Sequence, residues 1–418
     1  MDEHYTHGLP PSDTIPHSDA QTLNEDLDMI EDTFEWETEE DEDEGFEVMR
    51  RKPWLLEEPV LWTKDFIIIN IGIWLGIIIG AVIIWDGWSR ANRHWYCRVT
   101  GSFEMTTADE ANLFVNDFGL NIMPTLQDED LMITHGATIN LGKDCTAKNR
   151  THCSARTDTS NGTVVPPVKS ARLSTRKKKY ITYGRVDVVA KLPAGDWLWP
   201  AIYMMPMGSS YGPWPASGEI DIAESRGNNR TYPGGGNNII SSSLHFGPDA
   251  EHDVWYDNYE RRSLKRKTFS EDFNTFSVEW SQKYIFTFIN SKVKQVLYRP
   301  LTTSSWDKGN FASARDKNNM TLRNPWRNAF ANAPFDKPFC LALGVSVGST
   351  NSYFKDHKGG KPWSDDSPSA PKEFWDARDT WLPTWTQPAM QVKKVGMYQQ
   401  CDGDEQDWWV PNSVINAE

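Results

Sequence analysis

The chain has 418 residues, 24% of them charged and 39% hydrophobic, enough for one large folded domain or two ordinary ones. Its net charge of −15 is uneven: residues 1–49 hold eighteen Asp and Glu and no Lys or Arg, so they carry −18 and the remainder 43 − 40 = +3. Nucleic-acid binding is excluded, because the basic runs RKKKY (176–180) and RRSLKRK (261–267) are short, fall in expected surface loops and lack any binding-module pattern around them.

Residues 1–49, with Pro and Ser among the acids and few apolar side chains, are expected to form a disordered, solvated tail. After a juxtamembrane segment (50–65) comes FIIINIGIWLGIIIGAVII, Phe66 to Ile84, which is uncharged and has Asn70 as its one clearly polar side chain. At 1.5 Å per residue this run nearly crosses a hydrocarbon core of roughly 30 Å. Trp62, Trp85 and Trp88 lie near its ends, where an interfacial belt would sit. The run, taken as 66–85, reads as a signal anchor. Basic residues on its two sides nearly balance: Arg50, Arg51, Lys52 and Lys64 before it, Arg90, Arg93 and Arg98 after it.

Other features break the tie. The N-glycosylation sequons at Asn149, Asn161, Asn229 and Asn319 all follow the run, as do all five cysteines. Cys145 and Cys153 flank a short polar loop, CTAKNRTHC, that a disulfide could close, which leaves Cys97, Cys340 and Cys401. The expectation is a single-pass type II membrane protein, with the C-terminal part lumenal or extracellular.

A linker (86–102) leads to the folded part, 103–402, with a short tail at 403–418. Its pattern is one of short strands between Gly, Pro, Asn and Asp. GRVDVVAKL (184–192), NIISSSLHF (238–246), NTFSVEW (274–280), YIFTFIN (284–290), FCLALGVSV (339–347) and MQVKKVGMY (390–398) all suit strands. No long amphipathic helix stands out. The fold class is therefore all-β, an antiparallel sandwich or barrel with a concave face that can hold an elongated ligand. Twenty tryptophans could fill such a core or stack on sugar rings, and composition alone leaves that open.

GEIDIAES (218–225) is the stretch with chemistry in it. In a strand, Glu219 and Asp221 share one face and Ile220 and Ile222 the other, while Glu224 falls out of phase. A β-bulge near Ile222–Ala223 would return Glu224 to the face of the other two acids. Three carboxylates on one concave surface are costly unless they have work to do. Retaining glycoside hydrolysis needs two carboxyl groups about 5–5.5 Å apart, one a nucleophile and one a proton donor. By itself Glu-x-Asp-x-x-Glu could equally be a calcium site or a solvated strand end.

The surroundings carry a resemblance. SARLSTRKKKYITYGRVDVVAKLPAGDWLWPAIYMMP (170–206), WPASGEIDIAESRGN (214–228), SSLHFGP (242–248), FNTFSVEW (273–280), APFDKPFCLALGVSVGST (333–350) and KEFWDARDTWLPTWTQPAMQVKKVGMYQQC (372–401) resemble glycoside hydrolase family 16. The similarity is to its laminarinase and β-1,3-glucan-binding-protein branch, in family order over nearly all of 110–402. It implies a β-jelly-roll sandwich with a glucan cleft across the concave sheet. It further implies Glu219 as nucleophile, Glu224 as general acid/base, and Asp221 as the acid that tunes and orients the nucleophile.

By the same resemblance Trp199, Trp214, His245, Phe246 and Arg185 are candidate substrate-binding residues. Core packing is the alternative for the two tryptophans, and a structural ion pair for Arg185. Relatives often have Trp where Phe246 stands. Relatives also begin the sandwich with an edge strand well before NLFVNDFGLNIMPTL (112–126), whereas here only about 25 residues separate that stretch from the apolar run. No catalytic metal motif appears and no cofactor is expected, although the resemblance leaves room for a structural calcium. The implied function is a membrane-anchored endo-β-1,3-glucanase, with a non-cutting β-1,3-glucan receptor or a β-glucan transglycosylase as alternatives.

Overall fold

The computed structural model of the protein describes residues 101–401 apart from Lys148 and Lys177, together with the short strand Asn92–Arg93. The acidic tail and the apolar run 66–84 lie outside the described residues. Among those residues, no helix is long and apolar enough to cross a membrane.

Strands make up most of the regular structure of the described chain. They begin with β1 (Asn92–Arg93), β2 (Glu104–Thr107), β3 (Leu113–Asn116), β4 (Gly119–Ile122), β5 (Thr125–Leu126) and β6 (Thr138–Asn140). Next come β7 (Ser154–Arg156), β8 (Val168–Ser174), β9 (Gly184–Lys191), β10 (Leu198–Pro206), β11 (Glu219–Ser225) and β12 (Ile239–His245). The last are β13 (Tyr259–Ser263), β14 (Asn274–Trp280), β15 (Tyr284–Ile289), β16 (Ser291–Pro300), β17 (Phe339–Val347) and β18 (Met390–Gln399). Two sheets pack face to face. The front sheet runs β1-β8-β17-β10-β11-β12-β13, with β2 and β5 also on β8, and the back sheet runs β16-β15-β14-β9-β18-β4-β3. The expected all-β sandwich is present.

Period-two burial makes this a sandwich. In β9, residues 186, 188 and 190 are buried while 185, 187, 189 and 191 are half-exposed, and β10 alternates in the same way over nine residues. The inner faces meet in one continuous core that includes Val186, Val188, Ile202, Met204, Ile220, Leu244, Phe276 and Val345. Central β17 reads FCLALGVSV and is buried on nearly every residue, as a strand covered on both faces must be. Lys292 and Lys294 sit on the exposed part of edge strand β16, where charge discourages pairing with another chain.

The front sheet's other edge answers the expectation of a missing strand. Three short pieces, β1, β2 and β5, pair with β8 in place of one long strand, and β2 does so in parallel. Glu104 of β2 is buried there and accepts from the backbone N–H of Val347 and the Ser102 hydroxyl. Burial pushes its carboxyl up to about 7. A small separate hairpin, β6–β7, is closed by the Cys145–Cys153 disulfide expected from the spacing. Among the described residues, Cys340 and Cys401 have no disulfide partner.

The bulge expected at Ile222–Ala223 is present. Asp221 pairs with Ser243 and Glu224 with Ser241, so Ile222 and Ala223 together face the single residue Ser242 of β12. Both are buried in the core, and the chain thereby gains the half-period that Glu224 needs to reach the open face. A bulge leaves a carbonyl off the ladder. Here the buried Ser242 hydroxyl donates to the Ile222 carbonyl (2.7 Å) and accepts from the Thr287 hydroxyl (2.8 Å). Thr287 in turn accepts from the Leu297 N–H (3.0 Å), which ties the bulge to the back sheet. Ser242→Ala should therefore strand two buried polar groups and destabilise the fold by about 1–3 kcal/mol. Chemical denaturation measures this, and an unchanged midpoint would refute it.

Candidate active site

Strand β11 presents its acids on the outer face of the front sheet. Glu219 and Glu224 are half-exposed, while Asp221 between them is 4% exposed. Gly218, with φ +82°, makes the turn into this strand, and a side chain there would press on Pro334, Phe335 and Phe339.

Each glutamate is held by an indole. Trp214 donates its Nε1–H to Glu219 Oε2 (2.6 Å), and Trp199 donates its Nε1–H to Glu224 Oε1 (2.9 Å). Trp214 is 43% exposed and Trp199 is half-buried, so the structure places both expected tryptophans beside the acids. Trp199 follows a tight entry into β10: Trp197, buried and at φ +68°, is pinned by Asn228 and by the N–H of Gly348.

Asp221 sits in a denser network. Ser243 donates to its Oδ2 (2.5 Å), and His245 Nε2 lies 3.0 Å from the same oxygen. The other ring nitrogen of His245, Nδ1, is 2.5 Å from Asp253 Oδ2. Burial alone would lower the pKa of His245, but Asp221 and Asp253 on its two nitrogens hold it well above the ordinary histidine value. As an imidazolium it donates to both carboxylates and places one positive charge among four acids.

The two glutamates are driven the other way. Burial first, and the neighbouring Asp221 charge second, raise the carboxyl pKa of both. His245 and Arg172 partly offset this at Glu219. Both carboxyls are therefore held above the ordinary range, and the pair keeps a proton into the neutral range. A nucleophile and a proton donor require such a pair, with one carboxyl ionised and the other protonated. Glu219, Asp221 and His245 also bring donor atoms within 4.8 Å of one another, the spacing of a metal-binding group. His245 already spends both nitrogens on carboxylates, so the cluster offsets its own charge.

Two expected site residues lie elsewhere. Phe246 follows His245 by one residue and so points to the opposite face; it is 2% exposed and packs edge-on against Trp326 and Phe335 in the core. The expectation that Phe246 touches substrate is corrected by this alternation. Arg185 belongs to β9 in the back sheet, where it pairs with Asp187 (2.8 Å) and lies over the Phe288 ring. It is the structural ion pair, far from the acids in sheet order. The four sequon asparagines, Asn149, Asn161, Asn229 and Asn319, are all surface-exposed.

Several residues at the site carried no signal in the sequence. Tyr353 stacks flat on Trp199, with ring centroids 3.8 Å apart and planes 10° apart, and the Arg226 guanidinium lies 4.1 Å above the Tyr353 ring. Arg226 also donates to the Tyr353 carbonyl, and the Tyr353 hydroxyl donates to that of Ser225. A cation–π–π stack thus ends on the hydrogen bond to Glu224. Arg226 could have been suspected from its place just after the third acid. Tyr353 comes from a loop distant in sequence and Asp253 from the connection eight residues beyond His245, and nothing local marks either.

The sequence model of Glycosyl hydrolases family 16 matches residues 134–322, the segment that holds all three acids. A β-1,3-glucan-binding protein of Penaeus monodon is 41% identical over 244 residues, covering 58% of this chain and 63% of its own length. A β-1,3-glucan-binding protein of Tenebrio molitor is 32% identical and covers 68% of this chain and 56% of its own. Glucan endo-1,3-beta-glucosidase A1 of Niallia circulans is 34% identical over 183 residues, covering 43% of this chain and 22% of its own length. Among solved structures, the laminarinase catalytic domain of Thermotoga maritima matches 72% of this chain and 84% of its own at 19% identity, with a TM-score of 0.44. The chain thus spans 63% and 56% of the first two relatives. Residues 134–322, with all three acids, thus match glycosyl hydrolases family 16, and the chain is similar to β-1,3-glucan-binding proteins.

Proposed function

We propose that the protein is an endo-β-1,3-glucanase acting by retaining double displacement. One observation carries the reading: the bulge returns Glu224 to the open face beside Glu219 and Asp221, and each glutamate is aimed by its own indole N–H. Glu219 attacks the anomeric carbon while Glu224 protonates the departing glycosidic oxygen. Glu224, now a carboxylate, takes a proton from water as that water attacks the glycosyl-enzyme ester and releases Glu219. Asp221, held by Ser243 and His245, fixes the middle of the strand between the two. A sugar hydroxyl in place of water would make the same site a transglycosylase.

The family 16 match over residues 134–322 and the endo-1,3-glucosidase relative support hydrolysis. The names of several relatives, β-1,3-glucan-binding proteins, favour a second reading as a receptor that holds glucan without cutting it. Anchoring through residues 66–85 as a type II membrane protein, with the sandwich lumenal or extracellular and glycosylated, belongs to the same proposal. The uncharged apolar run and the exposed sequons support it. Laminarin incubated with the full chain should yield new reducing ends, the β anomer appearing first by NMR. Tight binding with no new reducing ends would favour the receptor, and initial α anomer would reject the double displacement.

A further inference from the structure

The acids are flanked by aromatic rings on both sides, and one group of them is not explained by the chemistry above. Trp255 and Tyr256 are adjacent on the turn Trp255–Asn258 that joins β12 to β13, and they are 43% and 62% exposed. Neither the Trp255 indole N–H nor the Tyr256 hydroxyl has a hydrogen-bond partner among the described residues. Trp255 lies nearly parallel to the His245 ring (6.2 Å, 26°) and meets Tyr256 and Tyr259 edge-on. His245 in turn lies beside Trp214. The rings Trp214, His245, Trp255 and Tyr256 therefore form one continuous line leading from Glu219 toward the β13 edge of the front sheet.

This turn is anchored, not loose. Val254 is buried and its N–H donates to the Phe246 carbonyl, Asn258 donates to the Val254 carbonyl, and Arg299 donates to that of Asp257. Gly247 lets the loop pass close, since a Cβ there would sit 2.2 Å from the His252 carbonyl oxygen. Two large amphipathic rings held rigidly in water, each with an unused donor, form a surface prepared for a ligand that is apolar on its face and hydroxylated at its edge. A pyranose ring has that character.

We propose that Trp255 and Tyr256 form an outer platform for a glucosyl unit of β-1,3-glucan distant from the bond being cut. Glu219 and His245 are neighbours on adjacent strands and Trp255 is one ring beyond, so the platform stands on the order of 10 Å from the nucleophile. That is about two sugar units. A long chain reaches the platform; a trisaccharide centred on the acids does not fill it. The platform thus makes the site discriminate by chain length, and this rests on the glucan reading proposed above.

The test compares β-1,3-linked glucose hexamer and trimer. Tyr256→Ala is the first variant, because its ring is 62% exposed and meets the edge of Trp255; Trp255→Ala is the second. Each should lower kcat/KM on the hexamer about tenfold more than on the trimer. Equal losses on both, or none on either, would overturn the platform. If the unaltered protein cuts neither substrate, the hydrolase reading fails separately, and calorimetric titration decides the platform. There the hexamer should bind the variants about tenfold more weakly, and an unchanged hexamer affinity would overturn the proposal.

Discussion

Glu219→Gln is expected to abolish turnover of laminarin, by roughly 10³-fold or more, while leaving glucan binding within a few-fold of the original. The substitution is nearly isosteric, and its amide oxygen can still accept the Trp214 N–H that now lies 2.6 Å from Oε2. What it removes is the charge that forms the bond to the anomeric carbon. Without a nucleophile neither displacement can start, so no compensating path exists within the site. Initial-rate reducing-end assays and calorimetric titration, run together, separate the two effects. Unaltered turnover would eliminate Glu219 as nucleophile, and loss of binding along with turnover would mean a damaged cleft.

The second large effect belongs to Glu224. Glu224→Ala should lower hydrolysis of laminarin by about 10²–10⁴-fold, the range that a positioned proton donor contributes. The loss should be much smaller on a glucan oligosaccharide with a dinitrophenyl leaving group, which departs without a proton. With that substrate the second step becomes limiting, because no base remains to activate water. Added azide needs no base, so it should restore turnover and leave a β-glycosyl azide.

The pH profile gives an independent check. Burial and the charge of Asp221 raise the pKa of Glu224, so its active protonated form persists into the neutral range and is lost as pH rises through the raised value. Glu219, also raised, must be ionised to attack, so activity falls again as pH drops through its pKa. The unaltered protein should show both limbs, displaced upward from those of solvent-exposed carboxyls. Glu224→Ala should lose the alkaline limb. Azide without effect, or an alkaline limb that survives the substitution, would reject Glu224 as the acid/base.

Much of this architecture was legible in the sequence because its signals are local. Alternation of apolar and polar side chains is a property of a few consecutive residues. The segments 274–280 and 339–347 accordingly became β14 and β17 with the expected bounds. The phase error of Glu224 likewise predicts a bulge, since only an extra residue can bring it level with Glu219 and Asp221, and the pairing of Ile222–Ala223 against Ser242 bears this out. The loop between Cys145 and Cys153 is short enough for its spacing to suggest the disulfide.

Tertiary structure decided the rest, because those choices depend on which surfaces meet. Twenty tryptophans look alike in the sequence, yet Trp197, Trp280 and Trp381 are buried in the core while Trp199 and Trp214 hold the two glutamates. Phe246 and His245 differ by one position and therefore by a whole face of the sheet, which puts one in the interior and the other between two carboxylates. Asp253 and Tyr353 reach the site on loops whose paths no local pattern encodes. Short-range periodicity determines which residues share a strand face. Only the packing of distant segments determines what stands opposite them, and so where each glutamate keeps or loses its proton.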